Sequence, residues 1–394
     1  MQILRTSLII IISLLTVLLA GCKQHSKNEP EPEPQPVNPD GVTIVYAINK
    51  SSLSGNFMQD TAEMKAAMVS VDMSRQRLLV YLTESASKTT LYELQQIGKK
   101  KVLTWRKVKE YDRQQTSTAP AVMKQVISDA LSVYPDAEHT LVFWGHGSAW
   151  TPGFSDHETR ADAPAQYSYG GEYGKNNEWQ WTEITDIANA IPDGVFRTIW
   201  FDCCYMSSIE VAYQLRNKTK MYVAYPTEVW DEGLNYNDVL PHIMRKNQDL
   251  TGAAAKFYSY YNDKNDAVTV SVMDMSKIEA VAEATRALMQ QNPDEIGKVT
   301  GVSNYRRGGT YGYYDMMQLL KLKDQGDLWQ SVQDSMNRFV IYHAESSKDF
   351  NNSQWVQTPL CGVSMHSLGE YGQKEADHEP FYRTLDWYKA VYEQ

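Results

Sequence analysis

"RTIWFDCCYMSSIEVAYQL", residues 197–215, places two adjacent cysteines where an apolar run ends and an amphipathic stretch begins. Residues 197–204 read as a buried strand that closes in polar residues. Ser207-x-x-Glu210 is a capping-box pattern, and Ile209, Ala212, Tyr213 and Arg216 follow on one helical face. A helix starting just past a cysteine brings partial positive charge toward its sulfur, so this geometry is expected to favour thiolate, the nucleophilic form. Inert burial is the commoner fate of a strand-end cysteine, and the junction alone does not decide between the two.

The surrounding chain gives the junction a fold. "GVTIVYAIN" (41–49), "QRLLVYLTE" (76–84) and "HTLVFWGHG" (139–147) are further short β-rich runs. Between 120 and 134, Met123, Val126, Ile127, Ala130 and Leu131 recur at helical spacing behind Pro120. Strands alternating with helices predict an α/β fold with a largely parallel sheet covered on both faces. Ligands of such sheets bind beyond the carboxyl ends of the strands, where His146 and Cys204 both fall. Residues 152–180 are polar, rich in Gly and Tyr, and read as one long loop. Beyond it come a strand-like run at 266–275, helical patterns around 276–290 and 314–342, and a strand-like "CGVSMHS" at 361–367.

Composition narrows the function. The 394 residues suffice for a large core, and a formal net charge of −10 with no long basic run argues against a general nucleic-acid binder. The 25 Tyr and 10 Trp fit a peptide- or glycan-binding surface as well as ordinary core, so a catalytically silent surface binder is the alternative to an enzyme. Arg5 precedes an apolar run, Leu8 to Ala20, that is short for a membrane span and fits a signal peptide. Leu19-Ala20-Gly21-Cys22 resembles a bacterial lipobox, which implies cleavage before Cys22 and its lipidation. The next 18 residues carry prolines at 30, 32, 34, 36 and 39 and predict an extended tether, roughly 55 Å at most. A lipid-anchored protein of the bacterial cell envelope follows, most naturally on the outer membrane or cell surface.

With Cys22 assigned to lipid, Cys203, Cys204 and Cys361 remain, an odd number that argues against a disulfide framework. "FWGHGSAW" supplies the other half of a thiol mechanism: His146 is the one histidine in a strand-end Gly-His-Gly, and an imidazole there can exchange protons with a nearby thiol. A zinc site is the weaker reading, because the histidines at 139, 146 and 157 have no short ligand spacing and no Cys-x-x-Cys occurs.

"WGHGSAW" and "FDCCYMSSIEVAYQL" together resemble the paired signatures of the clostripain family of cysteine peptidases. The likeness extends to "TIVYAIN", to "AYPTEVWDEGLNY" (224–236) and, more weakly, to "YYDMMQLLK" and "CGVSMHSL". It implies a caspase-like α/β/α sandwich at 41–260, with a C-terminal mixed α/β extension at 261–394 packed on it, after a signal at 1–21 and tether at 22–40. It also implies His146 as base, Cys204 as nucleophile, and the backbone N–H groups of Gly147 and Cys204 as oxyanion hole. Cys203 takes the small-residue position. Preference for Arg or Lys before the scissile bond is implied, with Asp202 at the pocket floor and Glu228, Asp231 and Glu232 as further candidates. Relatives that cut their own loop make Arg160 and Lys175 candidate self-cleavage sites. No cofactor is required; calcium is permitted by the acidic loops. A monomer acting on protein or peptide substrates is expected. Ala149 departs from the glycine usual there.

Overall fold

The apolar runs are continuous because the strands they form are covered on both sides, as a computed structural model of the chain shows. The structure describes residues 38–98, 102–151, 168–174, 176, 178–291, 299–306, 312–323, 326–367 and 379–393. These fall in one compact unit that starts at Asn38.

The strands in the first half of the chain are β1 (Gly41–Ala47), β2 (Gln76–Thr83), β3 (Lys88–Ile97), β4 (Val102–Asp112), β5 (Glu138–Trp144), β6 (His146–Gly147), β7 (Tyr169–Tyr173) and β8 (Trp179–Thr182). Then follow β9 (Phe196–Asp202), β10 (Thr219–Ala224), β11 (Thr269–Asp274), β12 (Tyr314–Asp315), β13 (Val340–Glu345) and β14 (Ser364–Met365). Nine of them form one sheet in the order β13-β11-β10-β9-β5-β1-β2-β3-β4. The central strands β2, β1, β5, β9 and β10 run parallel. Antiparallel pairs close both edges.

Alternate residues of each central strand serve opposite layers, the two-residue period of a pleated strand. In β5, Leu141 and Phe143 face one layer and Val142 and Trp144 the other. The second layer is built on α1 (Ser54–Ala67), whose Phe57 and Met64 are buried. The first is built on α2 (Pro120–Val133), α3 (Ile184–Ala190) and α4 (Ile209–Gln214). Helices α5 (Tyr236–Ile243) and α6 (Leu250–Asn262) join α1, whereas α7 (Ile278–Gln291), α8 (Met316–Lys321) and α9 (Asp327–Phe339) join α2. Pro120 opens α2, with Met123, Val126, Ile127 and Ala130 on its buried face, as the spacing predicts.

One element is new to the sequence reading, and three local expectations change. Residues 88–112 form the β3–β4 hairpin, whose half-exposed edge position replaces an apolar run by cross-strand ion pairs such as Lys88–Glu110. The expected 152–180 loop contains β7 and the start of β8, two short strands that extend β6 into a three-stranded sheet in the order β6-β7-β8. The helical pattern at 314–342 divides into β12, α8, α9 and the start of β13, because Val340-Ile341-Tyr342 pairs with β11 rather than continuing the helix. The capping box does not form at Ser207: that hydroxyl donates to the Gly362 carbonyl at 2.8 Å, and Ser208 is the residue at the helix N-cap. The carboxylate of Glu210 instead accepts from Ser208 Oγ and from the His366 backbone N–H at 2.8 Å.

Candidate active site

Strand β1 lies between β2 and β5, so the sheet order reverses direction beside it, and the carboxyl ends of β1, β5 and β9 share one cleft. The cleft encloses about 310 Å³ and is lined by Trp144 to Gly147, Asp202, Cys204, Tyr205 and Glu228 to Asp231, among others. His146 and Cys204, distant in sequence, therefore face the same space.

His146 is carried past β5 by Gly145, at φ 145°, and held in β6 by pairing with Gly170 of β7. Trp179 and Trp181 of β8 flank its ring at centroid distances of 6.0 and 6.1 Å. Ser52, just beyond β1, brings Oγ to 3.0 Å from His146 Nε2. Sequence reasoning did not single out Ser52; the only available signal was its position behind a strand neighbouring β5.

The two cysteines separate by environment. Cys203 is fully buried, and its thiol donates to the Phe143 carbonyl at 3.4 Å. Cys204 is half-buried, lines the cleft, and its sulfur lies 3.3 Å from the Val229 backbone nitrogen. Tyr205 follows at φ 63°, a left-handed conformation that turns the backbone sharply after Cys204 and is tied by its N–H to the Thr227 carbonyl at 2.7 Å. Ala149 is likewise left-handed, at φ 56°, which explains why glycine suits that position.

Gly147 packs directly on the Cys204 backbone. A Cβ there would lie 2.5 Å from the Cys204 carbonyl oxygen and 2.9 Å from Cys203 Cβ. This requirement for close approach joins the two strand tips into one unit.

Asp202, in register with Trp144 across β5 and β9, is 3% exposed. Its Oδ2 accepts from the Leu234 N–H at 3.1 Å and the Tyr236 hydroxyl at 3.0 Å, while Oδ1 has no hydrogen-bond partner among the described residues. Burial pushes its carboxyl up to about 7. On α1, Asp60 accepts from Trp144 Nε1 at 2.7 Å and is pushed up to about 9 by burial and by the charge of Asp202.

The Cys204 thiol is pushed up to about 12, chiefly by burial and further by the negative charges of Glu228 and Asp202. This corrects the expectation of a resting thiolate. The helix begins only at Ile209 and is short, so its terminus does not offset the cost of moving a charged sulfur out of water.

Glu228 and Asp231 line the cleft; Glu232 is exposed and outside its wall. Cys22, Arg160 and Lys175 lie outside the described residues. Among the described residues no group of three or more His, Cys, Asp or Glu is placed to hold a metal ion, and no helix is long and apolar enough to cross a membrane.

Comparison with known proteins agrees with this architecture. Over 91% of the chain and 99% of the other, the structure is similar to an inactive zymogen C11 protease from Parabacteroides distasonis, with a TM-score of 0.75 and 25% identity. Over 90% and 99%, it is similar to a secreted C11 cysteine protease from Bacteroides thetaiotaomicron in complex with an irreversible peptide inhibitor, with a TM-score of 0.74 and 27% identity. No curated protein is similar enough to count as a match. The fold and these likenesses define a cysteine peptidase with a caspase-like α/β/α sandwich, a class that needs no cofactor. The profile of the clostripain family matches residues 45–387, and the chain belongs to that family.

Proposed function

We propose that the protein is an endopeptidase that cuts after Arg or Lys through a Cys204–His146 dyad and a thioacyl-enzyme. His146 takes the thiol proton as the sulfur attacks the scissile carbonyl, so no thiolate need be stored in a site that holds the thiol near 12. With Ser52 holding Nε2, proton exchange with Cys204 is assigned to Nδ1. The imidazolium then protonates the departing amine, and the same imidazole activates the water that releases the acid. The oxyanion is received by the backbone N–H groups of Gly147 and Cys204, donors of a kind worth ~3 kcal/mol each.

The observation that carries the basic specificity is Asp202: a buried carboxylate at the cleft with one oxygen unpartnered among the described residues. Such an oxygen costs about 1–3 kcal/mol while unpaired. A guanidinium or ammonium would supply the donor and favour the ionised form. Glu228 and Asp231 add negative charge to the same wall. The test is hydrolysis of short fluorogenic peptides ending in Arg, Lys, Asp or Ala, with and without a thiol alkylator. Cleavage confined to Arg and Lys and abolished by alkylation is expected; equal cleavage of all four removes the pocket assignment.

In the same reading, residues 1–21 are a signal, Cys22 is lipidated, and the tether at 22–40 presents the enzyme at the cell envelope. Self-cleavage after Arg160 or Lys175 is proposed as the maturation step. A denaturing gel that compares wild type with Cys204→Ala tests it: a cut wild type beside an intact variant is expected, and identical intact bands remove it.

A further inference from the structure

Beside the catalytic cleft lies a second cavity of about 200 Å³, and the two share Trp230 and Phe350 as a common wall. Trp230 is an exposed large hydrophobic, 37% accessible, fixed by donation from Nε1 to the Ala267 carbonyl at 2.8 Å. Its ring packs on Phe350 at a centroid distance of 5.3 Å and an interplanar angle of 35°. The far wall is polar: Asn262, Asp266, Ser347, Lys348, Asp349 and Asn352. Its loop is internally braced. Asp349 Oδ1 accepts from the backbone N–H groups of Asn351 and Ser353 at 2.8 and 2.9 Å, and Trp355 Nε1 donates to the Ser346 carbonyl at 2.8 Å.

Of the charged groups on this wall, Lys348 donates to Asn352 Oδ1 at 2.8 Å. Asp349 is engaged as above. Nearby Lys264 sits over the Tyr260 ring at 3.5 Å from its centroid. Asp266 is half-buried at the cavity, with Lys264 as its electrostatic neighbour and no hydrogen bond to its carboxylate among the described residues. On the wall itself two carboxylates stand against one ammonium, which is committed to Asn352, while Lys264 is drawn over the Tyr260 ring. The wall lies behind an aromatic face on which an aliphatic stem or guanidinium can lie.

We propose that this cavity is a second substrate subsite, taking a cationic side chain of a residue flanking the one held by Asp202, with its stem across Trp230 and Phe350 and its head on Asp266. The assignment rests on the peptidase reading above. A protein whose substrates carry clustered Arg and Lys residues would use both cavities at once.

The test is a peptide library with Arg fixed before the scissile bond and every other position varied, read as kcat/KM. At one flanking position Lys and Arg should exceed Ala by about tenfold, the scale of one cation–aromatic and charge contact. Asp266→Asn should reduce that ratio to about twofold or less, and Asp266→Lys should invert it in favour of Glu, with cleavage after the fixed Arg retained. A profile that is flat in wild type, or unchanged in both variants, overturns the subsite alone. Absence of cleavage of every peptide overturns the Arg/Lys specificity reading and the subsite with it.

Discussion

The backbone of Gly147 lies so close to Cys204 that a single added methyl would meet the Cys204 carbonyl oxygen at 2.5 Å. Both N–H groups assigned to the oxyanion hole sit on this contact, so their spacing depends on it. Gly147→Ala forces backbone apart rather than a flexible side-chain end. A displacement approaching 1 Å is expected to lower kcat/KM by about 100-fold, with a stability cost of ~1–3 kcal/mol from overpacking. Peptide hydrolysis and thermal unfolding of the same variant check this; near wild-type kcat/KM would separate Gly147 from the oxyanion.

Ser52 holds the imidazole by Nε2 at 3.0 Å. Ser52 itself is exposed, so water can replace its hydroxyl in part. Ser52→Ala is therefore expected to reduce kcat by roughly 3–10-fold with KM little changed, a loss of about 1 kcal/mol. Ser52→Thr, which keeps the hydroxyl, should restore kcat. An unaltered kcat in Ser52→Ala would leave Ser52 as a neighbour without a positioning role.

The central parallel strands were legible because burial on both faces leaves uninterrupted apolar runs, and the strand tips then marked His146 and Cys204. The β3–β4 hairpin was not, since Arg106, Lys107, Lys109 and Glu110 stabilise an exposed edge by charge and erase the apolar signal. Nor were β7 and β8, where Gly170 and Gly171 take positive φ and Tyr173, Trp179 and Trp181 supply ring contacts in place of β-branched residues. Ser52 carries no motif, and only the pairing of β1 with β5 brings it to the histidine. The thiol prediction failed for a physical reason: a helix terminus is a partial charge at some distance, whereas desolvation acts on the whole sulfur charge.

The doubled cysteine gives a separable pair of outcomes. Cys203 is fully buried against β5, so Cys203→Ala removes packing and is expected to cost ~1–2 kcal/mol of stability with hydrolysis retained. Cys204→Ala is expected to abolish hydrolysis at nearly unchanged stability. Because the thiol stands near 12, iodoacetamide at pH 7 should label Cys204 slowly, and a substrate-like peptide reagent far faster. Peptide mapping by mass spectrometry reads the modified residue; label on Cys203 would reverse the assignment.

Asp202 should make the hydrolysis of basic substrates depend on pH. Burial raises its carboxyl to about 7, and Asp60, raised to about 9, stays protonated at neutrality, so the charge of this pair rests on Asp202. Below about 7 the Asp202 carboxyl is neutral and attracts no cation; above it the carboxylate is formed. The kcat/KM for Arg and Lys peptides is therefore expected to rise through pH 7 and level off. Asp202→Asn should flatten that rise and lower the plateau by at least about 100-fold, the scale of a lost charge-assisted bond of ~3 kcal/mol. Stability moves the other way. The folded carboxyl keeps a proton that the unfolded chain, at 3.8, has already released, so its contribution is present below that value and lost as pH rises through about 7. The melting temperature of Asp202→Asn relative to wild type should accordingly climb between pH 4 and 7. A parallel pair of melting curves, together with kcat/KM profiles of equal shape, would place the carboxylate outside both the fold's titration and the pocket.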